Sequence, residues 1–162
     1  MARQDKAAAR LDAEEREEAT SLSPPRALVI HEVVREQGEE EIKRSTMALG
    51  VSGFAAGMSM GFSFLVMAMI WACLPDAPWR LLLAAPGYAA GFLIVILGRQ
   101  QLFTETTLTA ILPLFTRPGA ETLCGAARVW AVVLAANLAG TWLFAWVLSH
   151  EGIFAGEIWQ AL

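Results

Sequence analysis

At 162 residues, 56% of them hydrophobic, and with a mean hydropathy of +0.47, the chain carries more apolar surface than a water-soluble domain of its size can cover. The formal charge of −4 says little about partners, because acids and bases are mixed within one segment: residues 1–45 hold 19 of the 28 Asp, Glu, Lys and Arg residues. No basic patch with interleaved aromatics is present, which gives nucleic-acid binding no support.

Residues 1–22 read as a disordered polar N-terminus. They contain no apolar h-region, so they are not a secretory signal. Ser23 before Pro24-Pro25 suits a helix start, since proline's missing N–H is not needed in a first turn. Over 23–45 the pattern predicts a helix, with Val29, Ile30, Val33 and Val34 opposite Glu32, Arg35 and Glu36. That face fits a helix lying on the membrane; a solvated charged helix with slight core contact fits the same pattern.

Residues 46–162 predict an all-α membrane domain of three crossings, at about 46–74, about 81–97 with a half-helix at 107–115, and 123–149. The middle one is interrupted by "GRQQLFTETT", Gly98–Thr107. A continuous helix from Leu81 to Phe115 would rise about 52 Å, too long for a hydrocarbon core of about 30 Å. The chain must therefore break in the polar decapeptide, and backbone that leaves helical geometry at membrane depth has to face protein or a wet cavity. Transporters build substrate sites from such breaks.

Gly50, Gly53, Gly57 and Gly61 fall on one face of the first crossing. Small residues at that spacing let helices approach closely in lipid, either inside one subunit or at a seam between subunits. Arg35, Lys43, Arg44, Arg117 and Arg128 against the loop Asp76–Arg80 predict a cytoplasmic N-terminus. Trp71, Trp79, Trp142 and Trp146 suit the outer interface, with Trp159 beyond. Cys73 and Cys124 fall at opposite faces and cannot pair. His31 and His150 have no partner at metal-ligand spacing. No phosphate loop, nucleophile elbow or paired acid/base carboxylates appear. No enzyme, metal or cofactor is expected.

"LFT" (Leu102-Phe103-Thr104) before "TTLTAILPLF", together with "ANLAG" (Ala136–Gly140), resembles the broken second helix and the third-helix "GNLxG" of the formate/nitrite transporter family. Tyr88, Gly91 and Phe92 fall where that family has an aromatic, a glycine and a bulky apolar residue along its pore, and the resemblance covers roughly Thr46 to Ser149. It implies one repeat of an aquaporin-like fold built from two inverted three-helix repeats, a homopentamer with one pore per subunit, and passage of a small monovalent anion, with a proton, across the bilayer of a bacterial inner membrane. Tyr88, Phe92, Leu102, Phe103, Thr104 and Asn137 would line the path.

Two departures stand out. The family loop has a glycine, a small residue and an acid before "LFT", where this chain has Arg99, Gln100 and Gln101; after Thr104 it has Glu105 rather than a small residue. Arg99 and Glu105 are read either as braces for freed backbone or as charges on the path. The second repeat, with its central histidine, is not in this sequence, so a fragment of a longer chain, a truncated product, or two pairing chains are the alternatives. A membrane adaptor or assembly protein without transport of its own is the competing function.

Overall fold

The computed structural model describes residues 27–150 and Ile158. The expected disordered segment 1–22, the Ser23-Pro24-Pro25 start and Trp159 lie outside the described residues. The described residues form helices only: α1 Ala27–Lys43, α2 Thr46–Cys73, α3 Arg80–Ala84, a 3₁₀ turn Ala85–Tyr88, α4 Ala89–Leu97, α5 Phe103–Thr116 and α6 Ala120–Leu148. Among the described residues, three stretches are long and apolar enough to cross a membrane: Thr46–Cys73, Arg80–Leu97 and Ala120–Leu148. The chain divides within α1, between Val33 and Val34.

Local signals set the ends of the crossings. Ser45 caps α2, its hydroxyl accepting the Ala48 N–H at 3.2 Å. The helix stops at Cys73, because Leu74 precedes Pro75 and is held extended. Beyond it, Arg80 reaches back: its Nε donates to the Trp71 carbonyl at 2.9 Å and its guanidinium lies 4.6 Å from the Trp71 ring centre. The second crossing tightens to 3₁₀ around Pro86, which has no N–H to give an α-helical ladder.

α2 and α6 run in the same direction and form the centre of the domain. Leu49, Val129 and Val133 are fully buried between them. All four glycines of the α2 face point at α6. A Cβ on Gly57 would lie 2.2 Å from the Asn137 carbonyl oxygen, and one on Gly140 would lie 2.3 Å from that of Phe54. Gly53 faces Ala136, Gly61 faces the Phe144 ring, and Gly50 faces Val132 more loosely. The face thus packs inside the chain, the first of the two readings its spacing allowed. The second crossing packs on the other side of α2, where Gly91 donates its N–H to the Ser63 hydroxyl at 3.1 Å.

From Val34 onward α1 packs against α5. Gly38 is buried, and a Cβ there would meet the Thr109 carbonyl at 2.1 Å and the Pro113 ring at 2.9 Å. The sequence of α5 explains why. Pro113 has no N–H, so the Thr109 carbonyl four residues earlier is left without its helical donor, and the α1 backbone closes over that spot. Arg117 adds an ion pair to Glu39 at 3.7 Å. Arg128 of α6 donates to the carbonyls of Ile42 at 2.6 Å and Arg44 at 3.0 Å, capping the end of α1. Gly38→Val should accordingly lift the C-terminal half of α1 off α5. Limited proteolysis should then cut near residues 38–44 at least tenfold faster, with the three crossings still inserted.

Candidate functional site

The break is shorter than the polar decapeptide suggested. α4 ends at Leu97, and α5 begins at Phe103 rather than at residue 107, so only Gly98–Leu102 is non-helical. α4 closes with a Schellman turn: the Arg99 N–H donates to the Ile96 carbonyl at 3.2 Å and the Gln100 N–H to that of Val95 at 3.0 Å. Such a turn needs one residue in the left-handed region. Here it is Arg99, with φ 45, and not the glycine beside it, because Gly98 sits at φ −79. An L-residue held there costs about 1–2 kcal/mol.

Past the turn the chain leaves regular structure until Leu102, which is extended, and its backbone groups go to side chains of the two central helices. The Gln101 N–H donates to the Ser52 hydroxyl at 3.1 Å. Asn137, in the middle of α6 and buried, donates from Nδ2 to the carbonyls of Gly53 at 2.8 Å and Gln101 at 2.9 Å, and its Oδ1 accepts the Phe103 N–H at 2.8 Å. Both amide protons are thus used on backbone. The amide also takes up a donor of the α5 N-terminus, which has no intrahelical acceptor. Gln101 is fixed at its other end too, since its Nε2 donates to Glu41 of α1 at 2.6 Å, while the Thr106 hydroxyl lies 3.0 Å from its Oε1.

The sequence-predicted residues separate into three groups. Leu102, Phe103, Thr104 and Asn137 come together at the start of α5. Phe103 lays its ring against Leu49, Val129 and Val133, and Leu102 is half-buried. Tyr88 and Phe92 form an aromatic cluster of their own with Phe64, at centroid distances of 5.4 Å for Phe64–Tyr88 and 5.9 Å for Tyr88–Phe92. Arg99 and Glu105 are exposed and make no side-chain hydrogen bond or ion pair among the described residues, so the bracing comes from Asn137, Ser52, Gln101 and Thr106 instead.

The threonines differ as well. Thr106, Thr107 and Thr109 each turn their hydroxyl to a backbone carbonyl nearby. Thr104 alone of the four leaves its hydroxyl without a partner among the described residues, and it is exposed. Beside the break lies a recess of about 510 Å³ whose wall includes Glu40, Glu41, Arg44, Arg99 and Glu105. Within it, Glu41 Oε2 and Gln100 Oε1 are buried without a hydrogen-bond partner among the described residues.

Sequence reasoning missed Ser52, Gln101 and Thr106 as the supports. An amide within a 29-residue apolar helix was the available signal for Asn137, because polar groups at membrane depth need a specific partner.

An all-helical membrane domain whose middle apolar helix is followed by a break and a second helix, with the freed backbone held by neighbouring helices, has the discontinuous-helix form found in many transporters. The chain belongs to the formate/nitrite transporter family, whose family model matches residues 28–162. It is 45% identical over 134 residues to the Inner membrane protein YfdC of Escherichia coli (strain K12), an overlap that covers 83% of this chain and 43% of that protein. The chain thus spans less than half the length of this relative. No solved structure matches it.

Proposed function

We propose that the chain supplies one repeat of a pore for small monovalent anions of the formate or nitrite kind, in a bacterial inner membrane with its N-terminus cytoplasmic. Tyr88, Phe92, Leu102, Phe103, Thr104 and Asn137 would border the path. Family membership supports the reading, and one observation carries it. Thr104 is exposed at the start of a half-helix with a free hydroxyl, while its neighbouring threonines spend theirs on backbone. A helix N-terminus favours negative charge, and a hydroxyl there offers a hydrogen bond to an ion that has shed water between apolar walls. Leu102 and Phe103, the apolar pair in a polar break, would supply such walls. A second repeat, from further chain or another copy, would enclose the other side, and the family's pentamer is the expected assembly.

The adaptor reading loses its main support, because the glycine face it required packs inside the chain.

The test is Thr104→Val, which nearly keeps the shape and removes the hydroxyl. In proteoliposomes it should lower formate and nitrite flux at least tenfold, a loss on the scale of one charge-assisted hydrogen bond. The melting temperature should stay within about 2 °C, since the side chain is exposed. Equal flux from Thr104→Val and parent at equal reconstitution would remove Thr104 from the path.

A further inference from the structure

Arg99 stands apart from every other arginine among the described residues. Arg35 pairs with Glu39, Arg44 with Glu41 and Arg117 with Glu39. Arg80 is spent on the Trp71 carbonyl, and Arg128 on the end of α1. Only Arg99 has no hydrogen bond or ion pair, and it lines the recess beside the break. It also occupies the one non-glycine position with positive φ among the described residues. The Schellman turn needs only backbone groups there, so a glycine at 99 would make the same turn without strain. The side chain contributes nothing to the local fold, yet the backbone is held in an unfavourable region with it in place. Strain retained without a structural return directs attention to the side chain's use.

The charges around it define that use. Three carboxylates, Glu40, Glu41 and Glu105, face the recess with two guanidiniums, Arg44 and Arg99, which leaves one net negative charge. Arg44 is already engaged with Glu41 at 3.4 Å. An anion approaching the break would therefore meet net repulsion, with Arg99 the one cation there not already offset by a paired carboxylate.

We propose that Arg99 is a specificity-determining residue of this chain: its free guanidinium admits a small monovalent weak-acid anion through an otherwise acidic recess to the break. The proposal rests on the anion-pore reading and adds to it the group that captures the ion before the narrow step at Leu102–Thr104. Capture precedes passage, so Arg99 sets the apparent affinity and leaves the maximal rate to the narrow step. Glu105 on the same wall opposes it, which makes the recess a balance of charge rather than a simple cationic funnel.

The experiment uses the protein purified from its native membrane and reconstituted, with formate and nitrite as probes at low and high salt. Arg99→Gln should raise KM for both anions about tenfold with Vmax nearly unchanged, the scale expected when one charge is removed from a focused field. The parent's KM should rise with ionic strength, since salt screens the guanidinium's attraction, whereas the variant's should stay level or fall, since only the carboxylates' repulsion is left to screen. Arg99→Lys should stay within about threefold of the parent, because the charge is what attracts. Arg99→Gln combined with Glu105→Gln, which restores the charge balance, should recover most of the lost affinity. Arg99→Gly should share the KM defect while melting no lower than the parent. An unchanged KM and salt dependence in Arg99→Gln would overturn the proposal. So would an Arg99→Gly protein that melts well below the parent, which would make Arg99 a structural residue. A parent that passes neither anion would defeat the pore reading itself, whereas a parent that passes both beside an indifferent variant would defeat Arg99 alone.

Discussion

Gly57→Leu is expected to prevent accumulation of folded protein in the membrane, and even Gly57→Ala is expected to lower the melting temperature by several degrees. A Cβ at Gly57 would sit 2.2 Å from the Asn137 carbonyl oxygen, with the Asn137 Cα and carbonyl carbon both at 2.9 Å. Those atoms are backbone inside a 29-residue helix and cannot rotate away as a side chain would. The helices must separate. Doing so opens the Leu49–Val129–Val133 core and stretches the Asn137–Gly53 bond of 2.8 Å. In lipid no hydrophobic force draws the helices back, and close van der Waals packing is the main term lost. Overpacking of a well-fitted contact costs about 1–3 kcal/mol for a small insertion and more for a large one. Gly140 faces the Phe54 carbonyl at 2.3 Å across the same seam, so one separation accommodates both new methyl groups. The double variant Gly57→Ala with Gly140→Ala should therefore melt higher than the sum of the single losses implies. Thermal unfolding in detergent, with yield from the membrane fraction, checks these three proteins together with Gly140→Ala alone. A Gly57→Leu protein with the parent's yield and melting temperature would mean that α2 and α6 do not touch at Gly57.

The crossings were legible because hydropathy summed over twenty or more residues is a strong signal, and the break because an unbroken helix from Leu81 to Phe115 fits no bilayer. Its extent was not. Thr104, Glu105, Thr106 and Thr107 look like loop by polarity, yet they form the first turn and a half of α5, where an acid and hydroxyls suit unpaired N–H groups. Charge is an equally poor guide to what braces the loop. Arg99 and Glu105 are the strongest polar groups of the loop, whereas the freed backbone is held by an amide and a hydroxyl. Neutral groups satisfy buried backbone without the desolvation penalty that an ion brings with it. The docking of α1 was out of reach for another reason. Gly38 and Thr109 are far apart in sequence, and only the fold shows that the carbonyl Pro113 leaves free lies under that glycine.

Asn137→Leu should cost more than any other single side-chain truncation at the break, and should do so by loosening the loop rather than the crossings. The substitution keeps the volume and removes three hydrogen bonds at once, of 2.8, 2.9 and 2.8 Å. Gly53 lies within α2, so losing that bond costs its carbonyl little. The Gln101 carbonyl and the Phe103 N–H are different, because the break gives them no helical partner, and each orphaned group costs about 1–3 kcal/mol. A fall in stability of about 2–6 kcal/mol follows, less whatever water recovers. Asn137→Asp separates the roles. Its carboxylate still accepts from Phe103, but it offers no donor to the Gln101 carbonyl and places negative charge near it. It should therefore hold the start of α5 while freeing Gln101. Hydrogen exchange read by peptide mass spectrometry distinguishes the variants: Asn137→Leu should expose amides 99–106 together, and Asn137→Asp mainly those of 99–101. The Gln101–Glu41 bond ties the same loop to α1, so release at Gln101 should also raise exchange in residues 38–44, with α2 and α6 protected as before. If the loop amides of Asn137→Leu exchanged at the parent's rate, the amide would be dispensable, and Ser52 and Gln101 would have to hold the break unaided.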